Sequence, residues 1–535
     1  MSYGSGYGGG YGASVWPDGI RVEVDWDRNG DWTTVGDNVT ALVRPGQGAV
    51  TAEYGRDQTT ALAPTVSGRG SLVLDNHDRR FSPRAAFLAN GAANPLYGKI
   101  KPARPVKITR TIASTDYVLF LGHTDDNPIN PDPENKNVTL SLLDSLADFR
   151  GQTISTQLYS GLRTGEAIGK ILDACGWSST LRDLDPGNTV IQWWWEDGTD
   201  ALTALENVLR SEGPPALLTI GADGAIVFKD RHHRLLDSAS ITSQATWRDR
   251  GTIEPVMLRP GFTYNESWAN IVNTGSATVD VRLPQELQPV WTSDVTLSLS
   301  AGESKLITAS ATDPFYGAVA PEAGIDYNLL SGTVTTALIR SSGASATIIY
   351  TATTAAIITA LQLRAQPVTV AYTVQMSASD SVSIGDYGSR SFPGDLTWCG
   401  PGDAEAVLIS TVAQRATPLP IVQTQFQIGS NLTKAASILV RDLSDRITVV
   451  EPETALNNAF YVESIGHEYA NKFDHLVTIG LELAPSEPSN VARTDTAGVG
   501  TDAGVTSSGL SDPANIAIVD SAASGHRTDE GVTTW

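Results

Sequence analysis

Four oxygen-bearing side chains alternate through the stretch VEVDWDRNGDWTTV, where Asp25, Asp27, Asn29 and Asp31 occupy every second position around Gly30. Hard oxygen donors at that spacing form the first half of a calcium loop. A helix-flanked loop of this kind also needs a bidentate carboxylate at its twelfth position, where this chain has Gly36, with Asp37 one place late. The same residues are also turn formers, since Asn-Gly readily joins two strands. A structural turn is the favoured reading, calcium the lesser one, and no other cofactor is expected.

The remaining chemistry-bearing residues are sparse. HEYAN, at His467–Asn471, approaches the zinc-protease helix motif, but Asn471 stands where the second histidine must be. Its flanks, FYVESIGHEY and DHLVTIGLEL, alternate with period two, so strands rather than a ligand-bearing helix face are expected. No G-x-S-x-G elbow, P-loop or dinucleotide fingerprint is present. The two cysteines, Cys175 and Cys399, are too few for a disulfide framework or a four-thiolate zinc site and read as small buried hydrophobes. QWWWEDG gathers Trp193, Trp194 and Trp195, which suit either packing and a protein interface or, less favoured, a sugar ring. YGKIKPARPVKITR carries Lys99, Lys101, Arg104, Lys107 and Arg110, a basic stripe read as a solvated strand face or an ion-pairing contact with a neighbouring subunit.

The elements that must position these groups are mostly strands. RVEVDW, GSLVLDN, PVKITRT and SDVTLSLSAG alternate apolar and polar residues between Gly-, Pro- or Asn-rich turns. TGEAIGKILDACGW places Ile168, Ile171, Leu172 and Cys175 on one helical face, with Thr164 as candidate N-cap and Gly176 as the stop. TDALTALENVLRSEGPP turns Leu202, Leu205 and Leu209 inward before Gly213, Pro214 and Pro215. A hairpin turning at Asp223–Gly224 follows, and a third helix is expected from about Asp403 to Arg415. The uncharged stretch Ser341–Leu363 is long enough to span a bilayer, but its Ser, Thr, Ala and β-branched content reads as two strands and a turn.

Charge narrows the function. Lys and Arg number 37 against 59 Asp and Glu, a net charge of −22, which opposes tight binding of nucleic acid through its phosphates. The stretch MSYGSGYGGGYGASVWPDG lacks a basic region followed by an apolar run, so it is not read as a secretory signal, and no membrane insertion by this chain is expected.

One stretch carries a family resemblance: GRGSLVLDNHDRRFSPRAAFLANGAANPLYGKIKPARPVKI. Its Leu74, Asp75, Asn76, Asp78, Phe81, Ser82, Pro83, Pro95, Leu96, Tyr97, Pro105 and Val106 resemble, in order, the opening domain of minor tail proteins of long-tailed, siphovirus-like bacteriophages. FLGHTDD, LSLLDSLADF, GEAIGKILDACGW, YNESWANIVNTGSATV and IGDYGSRSF resemble successive segments of the baseplate-hub-type proteins among them. The resemblance spans most of residues 15 to 484.

The resemblance implies a mainly β fold with a small α+β insert, two β-barrel-like hub domains and a β-sandwich insertion. The expected division is a flexible Gly/Tyr-rich arm at 1–14, a first hub domain at 15–155 and an α+β domain at 156–250. Connecting strands at 251–285, the sandwich at 286–385, a second hub domain at 386–484 and a low-complexity arm at 485–535 complete it. It also implies a tight hairpin at DRNG, a homotrimer and no catalytic residues. Expected partners are the distal tail protein, the tape measure and tip or fibre proteins. The location implied is the distal end of a virion tail, after synthesis in the host bacterial cytoplasm, where a hub ring joins tube to tip and passes DNA. Two rival functions are a host-binding adhesin contacting cell-wall glycan and a tail-associated cell-wall hydrolase, though the sequence supplies neither the carboxylate pair nor the nucleophile a hydrolase requires.

Overall fold

The computed structural model describes residues 19–46, 48–56, 65–126, 129, 131–221, 223–251, 255–471 and 474–485, with three two-residue strands beyond. Apart from Pro485 and those short strands, the two expected terminal arms lie outside the described residues. The molecule is mainly β with a small helical unit. Six strands open it: β1 (Gly19–Val24), β2 (Val50–Arg56), β3 (Thr65–Asp75), β4 (Pro105–Ile112), β5 (Thr115–Thr124) and β6 (Asn137–Leu143). They lie in the order β1-β4-β5-β6-β3-β2. Alternation along them sends Val22, Val24, Leu72, Leu74, Val106, Ile108, Val138 and Leu140 into one core.

The sheet does not end at β2. Its free edge pairs antiparallel with Leu456–Asn471, Val50 opposite Tyr469 and Gly55 opposite Ser464. The path continues through Asp474–Leu483 and Ile421–Gln427 to Thr263–Asn265. The two regions expected as separate barrel-like domains therefore share one sheet, and among the described residues its path stays open rather than closing either region into a barrel. Gly55 makes the crossing possible: at φ +115° a Cβ there would stand 2.3 Å from the Glu463 carbonyl oxygen.

Between these halves lies the helical unit. Helix α1 (Thr164–Ala174) buries Ile168, Ile171 and Leu172, and α2 (Ala201–Glu212) buries Ala204, Leu205 and Val208, all in one core. Thr164 is the first helical residue rather than the cap; the residue before it, Arg163, donates its amide to Glu166. Cys175 is half-buried at the helix end, while Cys399 is buried. The expected hairpin pairs Leu217–Ile220 with Ile226–Lys229, and the third helix runs Pro401–Arg415.

The insertion is mounted on one long strand. Leu361–Ser379 pairs with Gln288–Ser293 inside the insertion and with Thr274–Pro284 at its base. Its 19 residues span roughly 60 Å at the usual rise of an extended chain. Val407 and Leu408 of the third helix pack on Ala277 and Val279, which roots this ribbon in the body.

Candidate interaction surfaces

The three tryptophans serve three different contacts. On the strand Val190–Trp194, alternation turns Trp194 into the helical core, fully buried with its ring 5.9 Å from Tyr159. Trp193 faces the insertion, 5.5 Å from Tyr316. Trp195 meets Trp398 edge-on at 5.4 Å, and the Arg282 guanidinium lies 5.0 Å from its ring. The triplet thus forms a joint between the helical unit, the insertion and the segment before the third helix. Gly343 lies so close that a Cβ there would stand 2.6 Å from that of Trp195.

The basic stripe is dispersed. Lys99 Nζ pairs with Asp27 Oδ2 at 2.9 Å. Lys107 pairs with Glu23 at 3.2 Å and sits 4.5 Å over the Trp32 ring. Arg110 is buried, donating to the Gly429 carbonyl at 2.7 Å. Arg104 is half-buried, and Lys101 remains exposed.

What the structure assembles instead is the long connection between β3 and β4, residues 76–104. Phe81 and Leu96 anchor it in the core. Asn76 Oδ1 accepts from the Phe81 amide at 3.0 Å, and Asn94 Nδ2 donates to the carbonyls of Arg80 and Ala85 at 3.0 and 2.8 Å. The connection is held in shape yet presents Phe87 at 64% and Tyr97 at 56% exposure. It holds six Lys and Arg against one Asp. Among the described residues Arg79, Arg84 and Lys101 make no ion pair and stand exposed. Exposed aromatics beside cations, on a preformed frame, are the residue types that anchor protein interfaces. The sequence reading had noted the motif residues but not that Phe87 and Tyr97 face outward.

A buried charge network also escaped the sequence reading. Glu463 receives Arg234, with the paired atoms 2.5 Å apart, and lies 3.6 Å from Arg56. Arg56 donates to the Pro215 and Ala216 carbonyls, and Arg415 Nη2 reaches both Glu482 carboxylate oxygens at 2.7 Å. The network fastens both halves of the shared sheet, through Arg56 and Glu463, to the helical unit through Arg234. Burial opposes the charge on Glu463, but Arg234 and Arg56 prevail and hold its pKa below the usual value.

HEYAN is a strand, as its period demands. His467 Nδ1 and His475 Nε2 lie 3.1 Å apart, and the Tyr469 hydroxyl bonds His475 Nδ1 at 3.0 Å. Burial pushes His467 down to about 4 and His475 well below its ordinary value, the latter helped by His467 and Arg110.

No protein-family model and no curated protein matches the sequence. Solved structures similar to this chain include phage tail proteins. The 43 kDa tail protein of prophage MuSo2 from Shewanella oneidensis is 11% identical, with 87% of this chain and 96% of that one covered at a TM-score of 0.44. The tail protein from Neisseria meningitidis MC58 is 9% identical over the same shares, at a TM-score of 0.45. A type VI secretion component from E. coli is 9% identical over 83% of this chain and 75% of that one, at 0.36; it is described as structurally similar to T4 bacteriophage tail proteins.

Proposed function

We propose that this chain is a structural component of a phage tail tip: a hub that assembles as a homotrimer and joins the tail tube to tip or fibre proteins. Its work is binding, and it leaves a passage for DNA. The observation that carries this reading is the connection 76–104, whose ordered motif resembles that of minor tail proteins and which exposes Phe87 and Tyr97 on a frame fixed by Asn76, Asn94, Phe81 and Leu96. A long connection pinned by its own side chains that exposes aromatics beside cations fits a contact between proteins. Partners of the matching chemistry present acidic surfaces, as a neighbouring copy of this chain with its net charge of −22 does; the distal tail and tape-measure proteins are the other partners of this reading.

The test is assembly. The double variant Phe87→Ser/Tyr97→Ser should melt within about 1 °C of the wild type, since both side chains are exposed, yet fail to form trimers in light scattering or to enter tails in a complementation assay. A variant that assembles as well as the wild type would remove this surface from the reading. A wild-type protein that stays monomeric in the presence of tail tubes would remove the hub itself. Binding of the purified chain to host cell walls, or clearing of peptidoglycan, would favour the adhesin or the hydrolase instead.

A further inference from the structure

The segment after β1 is not the tight hairpin expected from Asn-Gly. Residues 25–37 form a wide loop closed by Val24 N–H donating to the Asp37 carbonyl at 2.8 Å and Val39 N–H to the Val22 carbonyl at 3.0 Å. Inside it the chain coils around Asp25, only 1% exposed, whose carboxylate accepts the Asn29 amide at 3.2 Å and the Gly30 amide at 2.8 Å. Positive φ at Arg28 and Gly30, 56° and 77°, gives the curl. A loop wrapped on its first carboxylate with oxygens at alternate positions is the geometry by which calcium loops prepare their ligands.

The independent observation is Asp37. It too is 1% exposed, yet neither carboxylate oxygen has a hydrogen-bond partner. The Trp26 amide and the Thr34 hydroxyl face it without reaching hydrogen-bonding geometry. Its carboxyl is pushed up by burial, and the charges that add to this are Asp25 and then Asp27. A buried carboxylate with no donor in hydrogen-bonding geometry, near further carboxylates, is a group whose natural complement is a cation. Asp37 is also the residue that spacing alone placed one position too late; because the loop is closed at Asp37 and not in a helix, the twelve-residue count does not govern it.

We propose that the 25–37 loop is a calcium site, with Asp25 and Asp37 as its buried carboxylates and Asp27 and Asn29 completing the oxygen shell from the solvent side. In the structure no three acidic, His or Cys side chains among the described residues yet converge on one point: Lys99 holds Asp27, and Asp31 is turned to Thr33. Binding therefore requires Asp27 to leave Lys99, and the metal and the lysine compete for one carboxylate. Oxygen-only donors on an irregular loop suit calcium over magnesium, which demands a near-ideal octahedron, and over the softer transition metals. This inference does not depend on the tail-hub reading.

The full chain, stripped with chelator, should bind one calcium ion by titration calorimetry up to about 1 mM, and its melting temperature should rise with calcium. Terbium should give emission sensitised through Trp26 and Trp32, displaced by calcium. Asp37→Asn should lower affinity at least about tenfold while melting no lower than the calcium-free wild type, because it removes an unmet buried charge. Lys99→Ala should raise affinity by freeing Asp27. If Asp37→Asn fails to fold, the wild-type titration and Lys99→Ala decide. No calcium heat and no sensitised terbium emission on folded wild type would overturn the proposal, as would equal affinity in all three proteins.

Discussion

Glu463 shows how much a single buried charge can hold. It lies between Arg234 and Arg56, each from a different region of the chain, and both are themselves enclosed. Replacing it by Gln keeps the shape but leaves two guanidinium groups without their counter-charge, an imbalance that costs about 3–5 kcal/mol when a buried pair is broken. Glu463→Gln should therefore shift the urea midpoint strongly downward, and an unchanged midpoint would show the network to be neutral. His467 and His475 make a second residue-scale prediction. Their folded pKa values lie below the unfolded value, so the unfolded chain takes up protons first on acidification. Their contribution is complete above about pH 6.5 and falls away toward pH 4, at up to ~1.4 kcal/mol per pH unit for each imidazole. Asp144 and Asp445, both pushed up to about 6 by burial, act in the opposite sense over the same window. The difference between wild type and His467→Gln isolates the imidazole: the variant should lose less stability between pH 7 and pH 5 in denaturant titrations. Identical pH profiles would exclude the pair as an acid-sensitive element.

At the scale of elements, the local rules were readable and the long-range ones were not. Period-two alternation located the strands, and helix α2 ends at Gly213, φ +82°, as its sequence implied, while at its start Asp200 caps Thr203 N–H at 3.1 Å. The uncharged stretch after Ser341 resolves into Ser345–Thr359 and the start of Leu361–Ser379, with Ala360 at φ 55° between them. By contrast, nothing local announces that Val50 pairs with Tyr469, because strand pairing across some 420 residues depends on which edges remain open after folding. The DRNG turn misled for a related reason. Asn-Gly is only a local preference, and here the Asp25 carboxylate captures the Asn29 and Gly30 amides and widens the turn into a loop. The tri-Trp motif was legible as a packing or interface cluster, but its partners Tyr316 and Trp398 come from sequence-distant segments, and no spacing rule connects them.

For the whole molecule, the decisive quantity is the contest between an acidic body and a local basic surface. The connection 76–104 takes six of the 37 Lys and Arg and one of the 59 Asp and Glu, so the rest of the chain holds 31 cations against 58 anions. At physiological ionic strength, charges more than about 8 Å apart are largely screened, so duplex DNA approaching this surface would sense chiefly Arg79, Arg84 and Lys101. Three phosphate contacts release few counterions, so they supply little affinity and a salt slope of only about −3, while the acidic remainder repels the duplex wherever else it touches. This balance is what the proposed passage of DNA without retention requires. Fluorescence anisotropy with a labelled duplex should show no binding at 0.15 M salt and at most weak binding near 0.02 M, where Arg84→Glu should abolish it. Nanomolar affinity at physiological salt, or a slope much steeper than three contacts permit, would mean that a larger phosphate-binding surface exists and that the passage reading is wrong.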